Sequence, residues 1–352
     1  MVSLLDCIQR IPSCMEQILK NKDTTFHQLL SELNRKRIDE IILIGSGTSN
    51  TVSVTARPFM EKASGLRTTV VTSNEFLYDR YVRNENALYV FVSQTGTSNF
   101  VRKAQAQFKA LGFLTAAVSE AEDTPLAKEA VIYVDMGCGQ EEYPMRTIGY
   151  STSVFTLMLM GMEIGRLYGT LTSEEYHDYL VQAQKLPESN RNACRIALQL
   201  ETSARQKMLQ SQLIVFTGAG ALYGLALEAA MKVWEIPQIA SVGYELEEGM
   251  HGPNYGYNSK HCVIVLNDGR EESKALALAR YMKEVKGTGF AFGSQVVEQC
   301  DLQFTLITRD FTSLELAPAI QILSYLLALD VGRDLFAPHD NSRMEAYFKT
   351  HA

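Results

Sequence analysis

Residues 39–47 (DEIILIGSG) form an apolar, β-branched run that stops at a tight glycine turn, and the stretch after it spaces Val52, Val54, Phe59 and Met60 for one helix face. The pattern reads strand, loop, helix. Residues 212–220 (QLIVFTGAG) repeat it, followed by Leu225, Ala226, Ala229, Ala230, Val233 and Trp234 at helical spacing, with Gly218 standing 173 positions after Gly45. That offset is too long for a solenoid and fits two tandem domains. Later elements repeat in the same order. LRTTVVTSNEFLY (66–78) answers PQIASVGYELEE (237–248), each read as a strand ending in an acidic loop. ALYVFVSQTG (87–96) answers HCVIVLNDG (261–269), with helical segments expected at 99–111 and 271–286, and FLTAAVSE and TGFAFGS supply a further strand in each half.

Strands alternating with helices of this length imply right-handed βαβ units and a parallel sheet covered on both faces. The expected fold is α/β, two tandem doubly wound parallel-sheet domains. The pattern divides the chain into an N-terminal helical segment (1–35), a first domain (36–168), a helical linker (169–208), a second domain (209–332) and a C-terminal tail (333–352). In the linker, Ser173-Glu174-Glu175 reads as a helix start and Pro187 as a break. The apolar stretch 153–165 (SVFTLMLMGMEIG) is shorter than the ~20 residues that span a bilayer and is interrupted by Glu163, so it reads as a buried helix.

Composition narrows the function classes. A chain of 352 residues exceeds what one core usually serves, and 46% hydrophobic with 21% charged residues is ordinary for a folded protein. A net charge of -7 argues against a broad nucleic-acid footprint, so any anionic ligand has to be held locally. The opening MVSLLDCIQRIPSC meets charges and a proline too early for a secretory leader, which makes a cytoplasmic location the expectation. The six cysteines show no CxxC pair and no histidine at metal-ligand spacing, so neither a zinc site nor a disulfide framework is expected.

Two loops of the first half end strands and are rich in hydroxyls: Gly45-Ser46-Gly47-Thr48-Ser49-Asn50 and Ser93-Gln94-Thr95-Gly96-Thr97-Ser98-Asn99. In open α/β sheets ligands sit at this edge, where backbone N–H groups, hydroxyls and helix dipoles hold a phosphate without a lysine. Either loop alone would pass as ordinary caps and turns. Two of them at one edge favour a phosphate site. The first loop lacks the third glycine of a dinucleotide turn, and the chain has no GxxxxGK[ST] string, which argues against redox and kinase chemistry.

These residues resemble the double sugar-isomerase (SIS) domain family, which includes the isomerase half of glucosamine-6-phosphate synthase and the fructosamine-6-phosphate deglycases. GSGTSN is similar to the family's CGTS turn, SNEFLY to its SEF-x-Y strand end, SQTGTS to its SQSGET loop, and residues 226–253 to its catalytic segment with a helix ending in Glu and an HGP turn. The resemblance implies flavodoxin-like SIS domains and a phosphosugar or sugar-amine substrate. It places phosphate contacts at Gly47, Thr48, Ser49, Ser93, Gln94, Thr95 and Ser98. Proton transfer falls to Glu235, and ring opening or leaving-group protonation to His251, often supplied by the neighbouring subunit of a homodimer or larger assembly. No metal or organic cofactor is implied, and no nucleic-acid or membrane partner.

Read without the family, Glu235 lies at a helix C-terminus, where the macrodipole disfavours a carboxylate, so its presence there asks for a reason. His251 occupies a constrained turn, and Glu248 is near enough in sequence to orient it. The tail departs from the synthase ending that carries a sugar-contacting lysine, with Lys349 the nearest equivalent. MRTIGYSTS (145–153) looks more like the T-x-GY-T segment of the stand-alone deglycases and deaminases. The expectation is a fructosamine-6-phosphate deglycase. A glucosamine-6-phosphate deaminase or an aldose–ketose isomerase is the alternative on the same scaffold, and a non-catalytic sugar-phosphate sensor is the alternative of another class; the absence of a basic helix-turn-helix argues against a transcription factor, and the Glu235/His251 pair against a pure binder.

Overall fold

A strand covered on both faces has to be apolar on both, and the run 40–45 is buried at every position. It is β1 (Glu40–Gly45), the second strand of a five-stranded parallel sheet ordered β2-β1-β3-β4-β5. The structure, a computed structural model, describes residues 2–79, 83–143, 145–337 and 342–351, which form two units. The first unit comprises residues 13–181 and 337–352, the second residues 1–12 and 182–336. The division falls inside two helices, α1 (Leu4–Thr25) and α8 (Ser173–Ala197).

In the first unit α2 (His27–Arg35) precedes β1, and α3 (Thr48–Ser64), β2 (Arg67–Thr72), α4 (Ser73–Tyr78), β3 (Ala87–Val92) and α5 (Asn99–Ala110) follow it. Then come β4 (Leu114–Ser119), α6 (Pro125–Glu129), β5 (Ile132–Asp135) and α7 (Ile148–Tyr168). One face of the sheet packs Ile42, Ile44, Tyr89 and Phe91 against Phe76 and Phe108, whose rings stand 4.3 Å apart. The stretch 153–165 lies in α7 and is buried throughout, its Glu163 paired with Arg166 at 2.7 Å.

The second unit repeats the plan. It contains α9 (Thr202–Leu209), β6 (Leu213–Gly218), α10 (Ala221–Glu235), β7 (Ser241–Glu245), α11 (Leu246–Gly249), α12 (Pro253–Gly256) and β8 (His261–Asn267). These are followed by α13 (Glu272–Tyr281), a π-helical turn at Met282–Lys286, β9 (Gly289–Gly293), β10 (Leu302–Gln303) and α14 (Thr312–Asp330). Its sheet order, β7-β6-β8-β9-β10, is the first sheet's order again. The expected pair of doubly wound parallel sheets is what the chain forms. Helix α14 is long and apolar enough to cross a membrane by length and composition, but 83% of that window is buried, packed against α9, α10 and β9. A short helix, α15 (Ser342–Glu345), lies in the tail.

Two local expectations fail. Pro187 does not break the linker: α8 runs through it, because Ala183, Leu186, Ser189, Asn190 and Ala193 bury one side of the helix, and that burial outweighs the lost backbone bond. SNEFLY is not a strand end but the short helix α4. Thr72 caps it by accepting the N–H of Glu75, a T-x-x-E signal that the sequence does carry. The counterpart after β7 behaves alike, with the Glu245 carboxylate accepting the N–H groups of Glu247 (2.7 Å) and Glu248 (3.3 Å) at the start of α11.

Candidate functional site

In a sheet of this order the connections leave β1 and β3 toward opposite faces, which opens a crevice at the C-terminal ends of these neighbouring strands. Helices α3 and α5 begin there. The turn into α3 needs two glycines for different reasons. A Cβ on Gly45 would stand 2.8 Å from the Ser49 backbone, so only glycine lets the helix start this close to the strand. Gly47 caps α3 at φ 60°, ψ -133°, a conformation that L side chains rarely adopt. The same pair recurs at Gly218 and Gly220, the latter with φ 60°, ψ -125°. Between the first pair, Ser46 Oγ lies 2.8 Å from Ser73 Oγ, which ties the turn to the start of α4.

The second loop follows β3. Ser93 is buried at 5% exposure, and its N–H donates to the Val118 carbonyl. Thr95 and Thr97 share a hydroxyl hydrogen bond of 2.8 Å. Ser98 is the N-cap of α5 yet makes no side-chain cap bond, which leaves its hydroxyl for another acceptor. Gly47, Thr48, Ser49, Ser93, Gln94, Thr95 and Ser98 thus come to one edge of one sheet, on strands spaced ~4.8 Å apart. The tail lies along the start of α5. His351 bridges Ser98 and places Nδ1 3.1 Å from Thr97 Oγ1, and Thr350 accepts the Asn99 N–H. Lys349 approaches through its carbonyl, 3.4 Å from Asn99 Nδ2.

Sequence reasoning missed Glu141. This buried carboxylate accepts the N–H groups of Thr147 (2.6 Å), Ile148 (3.0 Å) and Gly149 (3.1 Å), satisfying the N-terminus of α7, and also accepts Gln94 Nε2 at 3.3 Å. It therefore orients Gln94. Gly149 makes this possible, since a Cβ there would stand 1.8 Å from Gln94 Oε1. The signal was the TIGY segment, whose helix start lacks a cap of its own. Glu120, at the end of β4, donates its N–H to the Gln94 carbonyl (3.0 Å) and carries a carboxylate oxygen buried without a hydrogen-bond partner. Burial raises its pKa against the opposing pull of Arg146.

In the second unit, Glu235 is half-buried and paired. Its Oε2 lies 2.6 Å from Nζ of Lys232, whose side chain is 2% exposed and also stands 3.4 Å from Glu228 Oε1. The ammonium supplies the reason for a carboxylate at a helix C-terminus: it offsets the unfavourable end of the dipole. Lys232 too was missed, although Glu228, Lys232 and Glu235 follow the i, i+4, i+7 spacing of one helix face.

His251 follows α11 at the Gly252 turn (φ 112°), with its side chain 69% exposed. Glu247, not the Glu248 side chain, contacts it: Nδ1 lies 2.9 Å from the Glu247 carbonyl and 3.7 Å from its carboxylate. A proton on Nδ1 leaves the lone pair on Nε2. Lys274 beside Glu247 holds that carboxyl below its ordinary range. Glu248 acts through its backbone, accepting the His251 N–H.

Glu235 and His251 do not meet within the unit. Ser241 Oγ, at the first residue of β7, donates to the Ala230 carbonyl, so Glu235 lies about 7 Å further along α10, beyond the N-terminal edge of the sheet. His251 lies past the C-terminal end of β7, a strand roughly 16 Å long.

Fold and site together define a duplicated, flavodoxin-order α/β protein with a hydroxyl-lined crevice at one switch point. The SIS domain family matches residues 33–163 and 207–331, and the chain belongs to it. A glutamine–fructose-6-phosphate aminotransferase (isomerizing) of Tropheryma whipplei is 27% identical over 348 residues, which is 94% of this chain and 56% of that protein. The chain thus spans little more than half the length of that relative. Among solved structures, a Clostridium difficile chain superposes with a TM-score of 0.88 at 24% identity, covering 100% of both chains. The C-terminal domain of the glucosamine-fructose-6-phosphate aminotransferase of Francisella tularensis gives 0.82 at 22%, covering 95% of this chain and 97% of that one.

Proposed function

We propose that the protein is an enzyme of aminated sugar phosphates, with a fructosamine-6-phosphate deglycase as the best reading. The observation that carries it is Glu235 held at a helix end by the buried Lys232, alongside a separate hydroxyl-lined phosphate crevice. In this reading the phosphate of the open-chain ketoamine binds Ser49, Ser93, Gln94, Thr95 and Ser98. Glu235 takes the proton from C1, giving an enaminol, and returns it at C2. The resulting imine is hydrolysed by water to glucose 6-phosphate and the free amine. The distance along β7 between Glu235 and His251 supports a homodimer or larger assembly in which a second copy supplies His251 for proton transfer to the sugar oxygen.

Similarity to aminotransferases that isomerise a hexose phosphate favours a second reading, a deaminase or aldose–ketose isomerase using the same C1/C2 proton transfer. Product analysis with phosphorylated ketoamines, glucosamine 6-phosphate and fructose 6-phosphate separates the two. Glu235→Gln keeps the shape and removes the base, so turnover on the best of these substrates should fall by ~10²–10⁴-fold with little change in affinity. Near-wild-type turnover in that variant would remove Glu235 from the mechanism. Binding without turnover of any substrate would leave a sensor.

A further inference from the structure

A cavity of about 730 Å³ lies in the second unit between α8 and the segment that follows β10, lined by none of the residues assigned above. Its α8 wall carries Lys185, Arg191 and Arg195 on one broad face, together with Glu188. Three cations against one carboxylate leave the lining with two positive charges, in a chain whose net charge is -7. Thr305 and Ile307 form the opposite wall.

The two walls are fastened by buried polar groups. Glu315, 1% exposed, accepts the N–H groups of Ile307 and Thr308 (both 2.9 Å) and the hydroxyl of Ser189 on α8. Gln182, also on α8, accepts the N–H of Arg309 (2.9 Å) and donates to Asp310 (3.1 Å). The two walls are therefore fixed relative to each other before anything binds, which lowers the ordering cost of binding. Arg195 is steadied further by Asn192 at 2.5 Å. Arg191 and Arg195 also border an adjoining cavity of about 360 Å³ lined by Pro12, Cys194 and Leu198, an apolar neighbour suited to an organic group.

We propose that this groove binds an organic polyphosphate of nucleotide size, its phosphates on Lys185, Arg191 and Arg195 and its organic part toward Leu198. A cavity of this volume falls in the ordinary range for small-molecule sites, and guanidinium groups bind phosphate in bidentate fashion. Glu188 and Thr305 offer an acceptor and a hydroxyl to a sugar.

The experiment uses the full chain carrying Ser93→Ala and Ser98→Ala, so that the phosphate crevice of the first unit does not contribute. ATP and inorganic diphosphate, without metal, are titrated calorimetrically at two salt concentrations. ATP should bind once per chain, more tightly than diphosphate, and more weakly at high salt. Adding Arg191→Ala and Arg195→Ala should weaken ATP binding by about ten-fold or more in a variant whose circular dichroism shows it still folded. No saturable ATP binding at millimolar concentration, or binding indifferent to the arginine pair, overturns the proposal. Diphosphate binding as tightly as ATP overturns the organic ligand. A change of oligomeric state in the arginine variant without ATP binding to the parent makes the groove an interface between copies and overturns it equally.

Discussion

Lys232→Met removes the cation that stands 2.6 Å from Glu235 and 3.4 Å from Glu228. Methionine roughly preserves the volume, so the packing change costs at most ~1.5 kcal/mol. The larger effect is electrostatic. Glu228, whose side chain is 1% exposed, keeps its charge in the interior without its ammonium, and breaking a buried pair in this way costs about 3–5 kcal/mol. Glu235, with its side chain 36% exposed, is screened by water and adds little. The double variant Lys232→Met/Glu228→Gln leaves no stranded charge and should recover to within about 1–2 kcal/mol of wild type. Urea unfolding followed by fluorescence reads this locally, because the chain's single tryptophan, Trp234, lies on the same helix with Nε1 2.7 Å from the Ser241 carbonyl. The refolded double variant should still turn over slowly, since Glu235 has lost its ammonium. A single variant as stable as wild type, or a double variant no more stable than the single, would refute the buried-pair account.

Ser93→Ala with Ser98→Ala should raise the Michaelis constant for the phosphosugar by the equivalent of a few kcal/mol, given ~1.5–3 kcal/mol per charge-assisted bond, and an unchanged constant in the folded variant would sink the phosphate assignment. Glu120→Gln should change stability with pH. Burial raises the folded pKa of Glu120 above its unfolded value, so the protonated form favours the fold, and stability is lost as pH rises from the ordinary glutamate range through the folded pKa. The glutamine variant should therefore gain on wild type at pH 7 and lose that advantage toward pH 4, and an advantage equal at both pH values would contradict the burial.

Four of the five strands in each sheet, their order of appearance and the duplication were legible because covered parallel strands demand continuous apolar runs, and because glycine turns punctuate them at a fixed offset; the short edge strands β5 and β10 were missed. What stayed hidden depends on three dimensions. Pro187 reads as a break until the burial of Leu186 and Ala193 is known. Lys232 reads as an ordinary helix lysine until its burial between two glutamates appears. Glu141 gains its role from a helix that begins seven residues later, and Gln94 is oriented through it, a link no local pattern carries. The hydroxyl loops, by contrast, could be placed at one sheet edge from the strand reading alone, because the C-terminal end of a parallel strand fixes where its loop emerges.

The duplication also shows how the two halves differ at this turn. Backbone geometry is repeated nearly angle for angle at Gly47 and Gly220, so the second turn presents the same helix N-terminus. The side chains are not repeated. At the offset of 173, Ser46, Thr48 and Ser49 become Ala219, Ala221 and Leu222, which removes these three serine and threonine hydroxyls from the turn. The loop after β8 brings Arg270 instead, with Nη1 1.9 Å from where a Cβ of Gly220 would stand. The guanidinium thus lies directly over the second turn, and any anion reaching that helix end has to displace it or bind to it. The second copy of the fold instead carries its charged cluster at the other end of α10, where Lys232 and Glu235 reside.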